Sequence, residues 1–99
     1  MNNILSLLGL AARARAIILG EEFCLKAMAK HPKGIVFLAT DAGENITKKV
    51  LNKSTTYDYT IIQKFNTEEL SNAIGKKNRK LIVITDNGFN RKFREYLSY

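Results

Sequence analysis

The sequence predicts an α/β protein: a three-layer α/β/α sandwich on a central four-stranded, mixed sheet, with residues 1–99 forming a single domain. Three observations carry this expectation. Two apolar runs, Gly34 to Ala39 and Lys80 to Ile84, lack the polar alternation of a half-exposed strand and suit strands covered on both faces. Segments with helical spacing and good capping residues separate the strands. Ninety-nine residues with 45% hydrophobic content suffice for one core.

Each element has a local reason. Asn2 or Asn3 caps a first helix whose Ile4, Leu7, Leu8, Leu10 and Ala11 form one broad apolar face. Arg13 and Arg15 flank its end, where cations suit the helix dipole. The charges of this stretch follow its apolar residues, so it reads as a folded helix and not as a signal peptide. A short strand, Ala16 to Leu19, leads through Gly20 into a second helix from Glu21 to about Lys30, with Phe23, Leu25, Ala27 and Met28 available to the core. Pro32 and Gly34 punctuate the chain before the second strand. Thr40-Asp41 ends that strand and caps a third helix, Gly43 to about Lys53, which buries Ile46, Val50 and Leu51 and exposes Lys48, Lys49 and Lys53. A third strand covers Tyr59 to Gln63, and Asn66 or Thr67 starts a fourth helix that Gly75 terminates. After the fourth strand, Asp86 begins a last helix ending near Tyr96.

Composition narrows the function classes. Sixteen Lys and Arg against nine Asp and Glu give a net charge of +7. Such an excess favours polyanionic partners, nucleic acid ahead of a membrane surface, because no strongly basic amphipathic helix with exposed aromatics is present. No apolar run is long enough to span a bilayer. The single cysteine, Cys24, forms no internal disulfide, and a reducing cytoplasmic location is expected. No cofactor or metal is expected, and catalysis finds no support: His31 sits at a helix end, Cys24 between apolar neighbours, and no phosphate-loop, dinucleotide or nucleophile-elbow motif occurs. Two segments echo each other, each a strand followed by Thr-Asp-x-Gly-x-Asn and a basic helix. Asp41 and Asp86 are then either a carboxylate pair at adjacent strand ends or two helix N-caps. The missing third ligand and the neighbouring cations favour caps, which leaves a metal-dependent hydrolase as the weakest reading.

Two stretches are candidates for recognition. The strand–Gly20–helix unit aims a helix N-terminus, with its unpaired N–H groups, at whatever lies beyond the strand end. The turn Gly75-Lys76-Lys77-Asn78-Arg79-Lys80 groups cations on a loop, where they can neutralise phosphates and confer salt-dependent affinity.

L-G-L-A-A-R-A-R, I-I-L-G-E-E-F-C-L-K-A, V-F-L-A-T-D-A-G-E-N-I-T-K-K-V, A-I-G-K-K-N-R-K and I-T-D-N-G-F, in that order, closely resemble the bacterial YlxQ-type branch of the L7Ae ribosomal-protein family, across essentially the whole chain. The resemblance implies the α/β/α sandwich again and a partner in kink-turn RNA, a sharply bent helix–bulge–helix with tandem sheared G·A pairs. It further implies a ribosome-associated, non-enzymatic protein binding structured RNA, ribosomal RNA included. The family's reading motif, Gly-x-Asn-Glu-x-x-Lys, has two competitors here. Gly43 to Lys49 imitates its letters but follows the second strand; Gly20 to Lys26 has the family's position and receives the assignment.

That assignment exposes a departure. Glu22 stands for the family Asn and Phe23 for the family Glu, while Gly20 and Lys26 are retained. Glu22 can still accept from guanine N–H groups; Phe23 can stack or pack but not hydrogen-bond, and lost polar base contacts cost about 1–3 kcal/mol each. The loop before the last strand, largely apolar in the family, is basic here. The expected RNA-binding set is Gly20, Glu21, Glu22, Phe23 and Lys26 with Gly75, Lys76, Lys77, Arg79 and Lys80. An alternative is a protein-interaction module on the same fold with RNA secondary or absent, motivated by Phe23 beside carboxylates.

Overall fold

A computed structural model describes residues 3–97. Helices and strands alternate as α1 (Asn3–Arg13), β1 (Ile18–Leu19), α2 (Glu21–Lys30), β2 (Ile35–Leu38), α3 (Glu44–Tyr57), β3 (Thr60–Ile62), α4 (Thr67–Ile74), β4 (Leu81–Ile84) and α5 (Asn87–Leu97). Of the expected α1 caps, Asn2 lies outside the described residues and Asn3 is the first helical residue.

The four strands form a mixed sheet in the order β1-β4-β2-β3. β2 and β3 are parallel, while β4 runs antiparallel to both β1 and β2, with Val36 opposite Val83. Every residue of β2 and β4 is buried, as their unbroken apolar runs predict. Alternate side chains serve opposite faces. Ile35, Phe37, Ile82 and Ile84 pack with α1, α4 and α5, where Phe93 meets Phe37 edge-on at 5.3 Å. Val36, Leu38, Leu81 and Val83 pack with Cys24 and Met28 of α2 and Val50 of α3. Full burial of each such aliphatic or aromatic side chain stabilises by roughly 1.5–3 kcal/mol, and it is this burial that secures β2 and β4, each only four residues long. The sandwich is the one expected.

Several local expectations change. β1 is shorter than Ala16 to Leu19, because Ala16 is held by the α1 terminus, its N–H donating to Ala11 O at 2.8 Å. α3 runs past Lys53 to Tyr57, with the Thr55 and Thr56 hydroxyls donating back to the Leu51 and Asn52 carbonyls. Leu10, Leu51 and Phe23 are not core residues: they are 53, 42 and 69% exposed. On α2 the buried stripe is Cys24 and Met28, a four-residue step that leaves Phe23 on the flank facing away from the sheet.

The echoing aspartates also separate. Because β2 and β4 are antiparallel, the exit of β2 toward Asp41 and the exit of β4 toward Asp86 lie at opposite ends of the sheet, so the two carboxylates do not share a site. Asp86 caps its own helix, accepting from the Phe89 N–H at 2.9 Å. Asp41 does not cap α3, whose N-cap is Gly43; it accepts instead from the Thr67 N–H at 2.9 Å and the Thr67 hydroxyl at 2.7 Å, fastening the start of α4. Those bonds, the hydroxyl first, hold the Asp41 carboxyl below its ordinary range.

Two helix ends are closed by the same pair of backbone bonds. At α4, Lys76 N–H donates to Ser71 O and Gly75 N–H to Asn72 O, with Gly75 at φ 70°. At α1, Ala16 N–H donates to Ala11 O and Arg15 N–H to Ala12 O, with Arg15 at φ 59°. This motif ordinarily takes glycine at the left-handed position, and an L-residue there costs about 1–2 kcal/mol. Arg15 occupies it nonetheless.

Candidate nucleic-acid interface

Gly20 is the hinge of the first candidate stretch. Its φ of 90° and ψ of 130° turn the chain from β1 directly into α2, a conformation that side chains resist. A Cβ there would also meet the Phe23 ring at 3.3 Å. Gly20 supplies no side-chain cap, so the N-terminal N–H groups of α2 stay available beside the strand end.

The second stretch arrives at the same place. Gly20 and Glu21 line a cleft of about 170 Å³ with Ile46, Asn78, Arg79 and Lys80. The loop reaches it because Gly75 stops α4 and Ser71 then holds the far side: Arg79 N–H donates to Ser71 Oγ at 2.8 Å. Asn78, at φ 57°, makes the intervening bend. Arg79 Nε is buried with no acceptor among the described residues.

The remaining expected residues divide among neighbouring surfaces. Glu22 and Lys26, one helical turn apart, face a shallow groove between α2 and α3 together with Lys53. Phe23 presents its ring to solvent next to Gly20. Lys76 and Lys77 line a groove along α4 with Asp41, Thr67, Glu68 and Asn78, and do not line the Gly20 cleft. Gly75 and Lys76 also border a larger cleft between α1 and α4.

Three residues of this region escape the expected set. Ile46, assigned to the core, is only partly buried and forms a wall of the Gly20 cleft. Asn78 sits inside the basic loop but carries no charge to draw notice. Lys49 reaches Glu21, its Nζ 3.2 Å from a carboxylate oxygen, with both groups exposed. Ile46 and Lys49 belong to Gly43–Lys49, the stretch that competes with Gly20–Lys26 for the reading motif. The structure brings the two competitors to one cleft.

Cys24 takes no part in this surface: its thiol donates to Ile18 O at 3.1 Å, and burial pushes its pKa up to about 12.

This surface belongs to a chain with clear relatives. The model of the ribosomal protein L7Ae/L30e/S12e/Gadd45 family matches residues 2–93. The chain is 41% identical over 93 residues to a protein of Enterococcus faecium named RNA-binding protein YlxQ, covering 94% of this chain and 89% of that one. It is 36% identical over 86 residues to the protein of the same name from Bacillus subtilis (strain 168), covering 87% and 86%. Among solved structures, a protein of unknown function from Bacillus halodurans C superposes with a TM-score of 0.89 at 41% identity over 96% of both chains. A 15.5kD RNA binding protein of Giardia lamblia shares the fold, with a TM-score of 0.76 at 20% identity over 93% of this chain and 79% of that one. By sequence across nearly its whole length and by architecture, the chain belongs to the ribosomal protein L7Ae/L30e/S12e/Gadd45 family, with RNA-binding proteins among its relatives.

Proposed function

We propose that this chain is a non-enzymatic RNA-binding protein, acting as one domain, that recognises kink-turn-like structured RNA in a ribosome-associated setting. One observation carries the reading: the glycine-opened start of α2 and the Arg79–Lys80 end of the basic loop converge on a single cleft. The helix end and its flanking carboxylates offer groups for base edges, and Arg79, Lys80 and the neighbouring lysines offer groups for phosphates. The names of the relatives and the family resemblance support the same class of partner.

The test compares a kink-turn RNA with a version in which the tandem G·A pairs are replaced by Watson–Crick pairs, across a series of salt concentrations. The G·A form is expected to bind roughly ten- to a hundredfold more tightly, the value of one or two base contacts. Lys26→Ala should reduce that ratio, whereas Lys92→Ala on α5 should leave it unchanged. Lys53 is unsuitable as an off-site control because it shares the groove of Glu22 and Lys26. Equal affinity for both RNAs at every salt concentration would remove the specific claim.

The exposure of Phe23 beside Glu21 and Glu22 supports a second reading, a protein-docking surface on the same fold. Partners that stay bound to the chain after exhaustive nuclease treatment would favour it.

A further inference from the structure

The Gly20 cleft has a larger neighbour. It lies between α1 and α4 along the outer side of β1, holds about 620 Å³, and is lined by Arg13, Arg15 and Lys76 as well as by Leu19 of the strand. Its described lining carries no carboxylate, and no ion pair joins these three cations to another described residue. The groove that continues it along α1 and α4 does hold Glu69, but that side chain accepts from the Asn66 N–H in the capping box of α4. This cleft and the Gly20 cleft adjoin. Leu19 leads directly into Gly20, and the loop beginning with Gly75 and Lys76 at one cleft ends with Arg79 and Lys80 at the other.

We propose that the α1–α4 cleft is a second phosphate-binding site, in which Arg13, Arg15 and Lys76 take the backbone of the same RNA beyond the segment held at α2. The inference rests on the RNA-binding reading above. Cations at the end of α1 also suit its dipole, but that reading does not explain Arg15 in the left-handed position. The equivalent position of α4, closed by the same backbone bonds, is Gly75. At α1 an arginine stands where glycine fits better, as Asp58 does at the end of α3, and the arginine's side chain lines the cleft. Guanidinium groups there give paired donors for phosphate oxygens.

The experiment measures affinity against salt for a kink-turn RNA with two full stems. Arg13→Ala/Arg15→Ala should lower the slope of log K against log salt by about 1.4–1.8, the loss of two phosphate contacts. When the stem that occupies the cleft is trimmed away, testing each stem in turn, wild type and variant should bind alike. Arg15→Gly separates recognition from folding: it should raise Tm by a few degrees by relieving the left-handed strain while weakening RNA binding. Arg15→Lys should recover part of the lost affinity. Unchanged slopes in the double variant, or Arg15→Gly binding as tightly as wild type, would overturn the second site alone. A Tm lowered by Arg15→Gly together with unchanged binding would return Arg15 to a purely dipolar role. A wild-type chain that binds no RNA would overturn this proposal and the proposed function together.

Discussion

The two clefts that flank the 75–80 loop differ in the sign of their walls. At the start of α2, cations stand beside Glu21 and Glu22, and Lys49 is already engaged with one of those carboxylates. Between α1 and α4 the charged residues of the described lining are all cations. A wall of one sign attracts any phosphate; a wall of both signs repels bare phosphate and favours a ligand that also presents hydrogen-bond donors. Net charge therefore points to the wrong cleft for discrimination. On the proposed reading, the +7 of the chain accounts for attraction to RNA as a polyanion, and the carboxylates are where one RNA would be told from another.

The contrast can be broken most strongly at Phe23. If its exposed ring stacks on a base beside the mixed cleft, Phe23→Ala should weaken kink-turn binding by roughly 1–3 kcal/mol. Folding stability should then stay within about 0.5 kcal/mol, as for other surface substitutions. Titration of the RNA and a denaturant melt of the same preparation check both halves. A smaller effect should come from making the mixed cleft resemble the other. Glu21→Gln/Glu22→Gln is expected to raise affinity for the G·A-less control RNA by about tenfold or less at low salt, with a corresponding loss of discrimination, consistent with exposed charge terms of up to about 1 kcal/mol each. The smallest effect belongs to Asp41, a carboxylate of the frame. Its pKa is depressed in the folded chain by the bonds from Thr67, so its stabilisation is present above its ordinary value of 3.8 and disappears as pH falls through the lower folded value. Asp41→Asn should therefore lower Tm near neutrality, and the gap to wild type should close on acidification, as thermal melts across pH will show.

How far these surfaces are legible before folding depends on the kind of residue. β2 and β4 declare themselves because strands buried on both faces need apolar side chains at every position, and Gly75 and Asp86 declare helix boundaries by backbone and capping chemistry. Phe23 does not: Phe23, Leu25 and Ala27 all flank the Cys24–Met28 stripe, and only the docking angle of α2 decides which of them meets solvent. Asp41 misleads for a similar reason. An aspartate after a strand looks like a cap for the next helix, but a tertiary partner, Thr67, was closer. The convergence of Gly43–Lys49 with Gly20–Lys26 is invisible in either stretch, since it is made by packing α3 against α2. Arg15 carries the opposite lesson. Its letters suit a helix end, and only its backbone angle shows that it stands in a place made for glycine.

The brevity of β1 limits what its open edge can pair with. An open sheet edge invites pairing with another molecule, and here the β1 edge offers only Ile18 and Leu19, bordered by Arg13 and Arg15. Two residues give a second copy too little backbone to extend the sheet, and a like-charged copy is repelled as it approaches. The cations proposed to hold a phosphate backbone thus also act as gatekeepers against edge-to-edge aggregation while no RNA covers them.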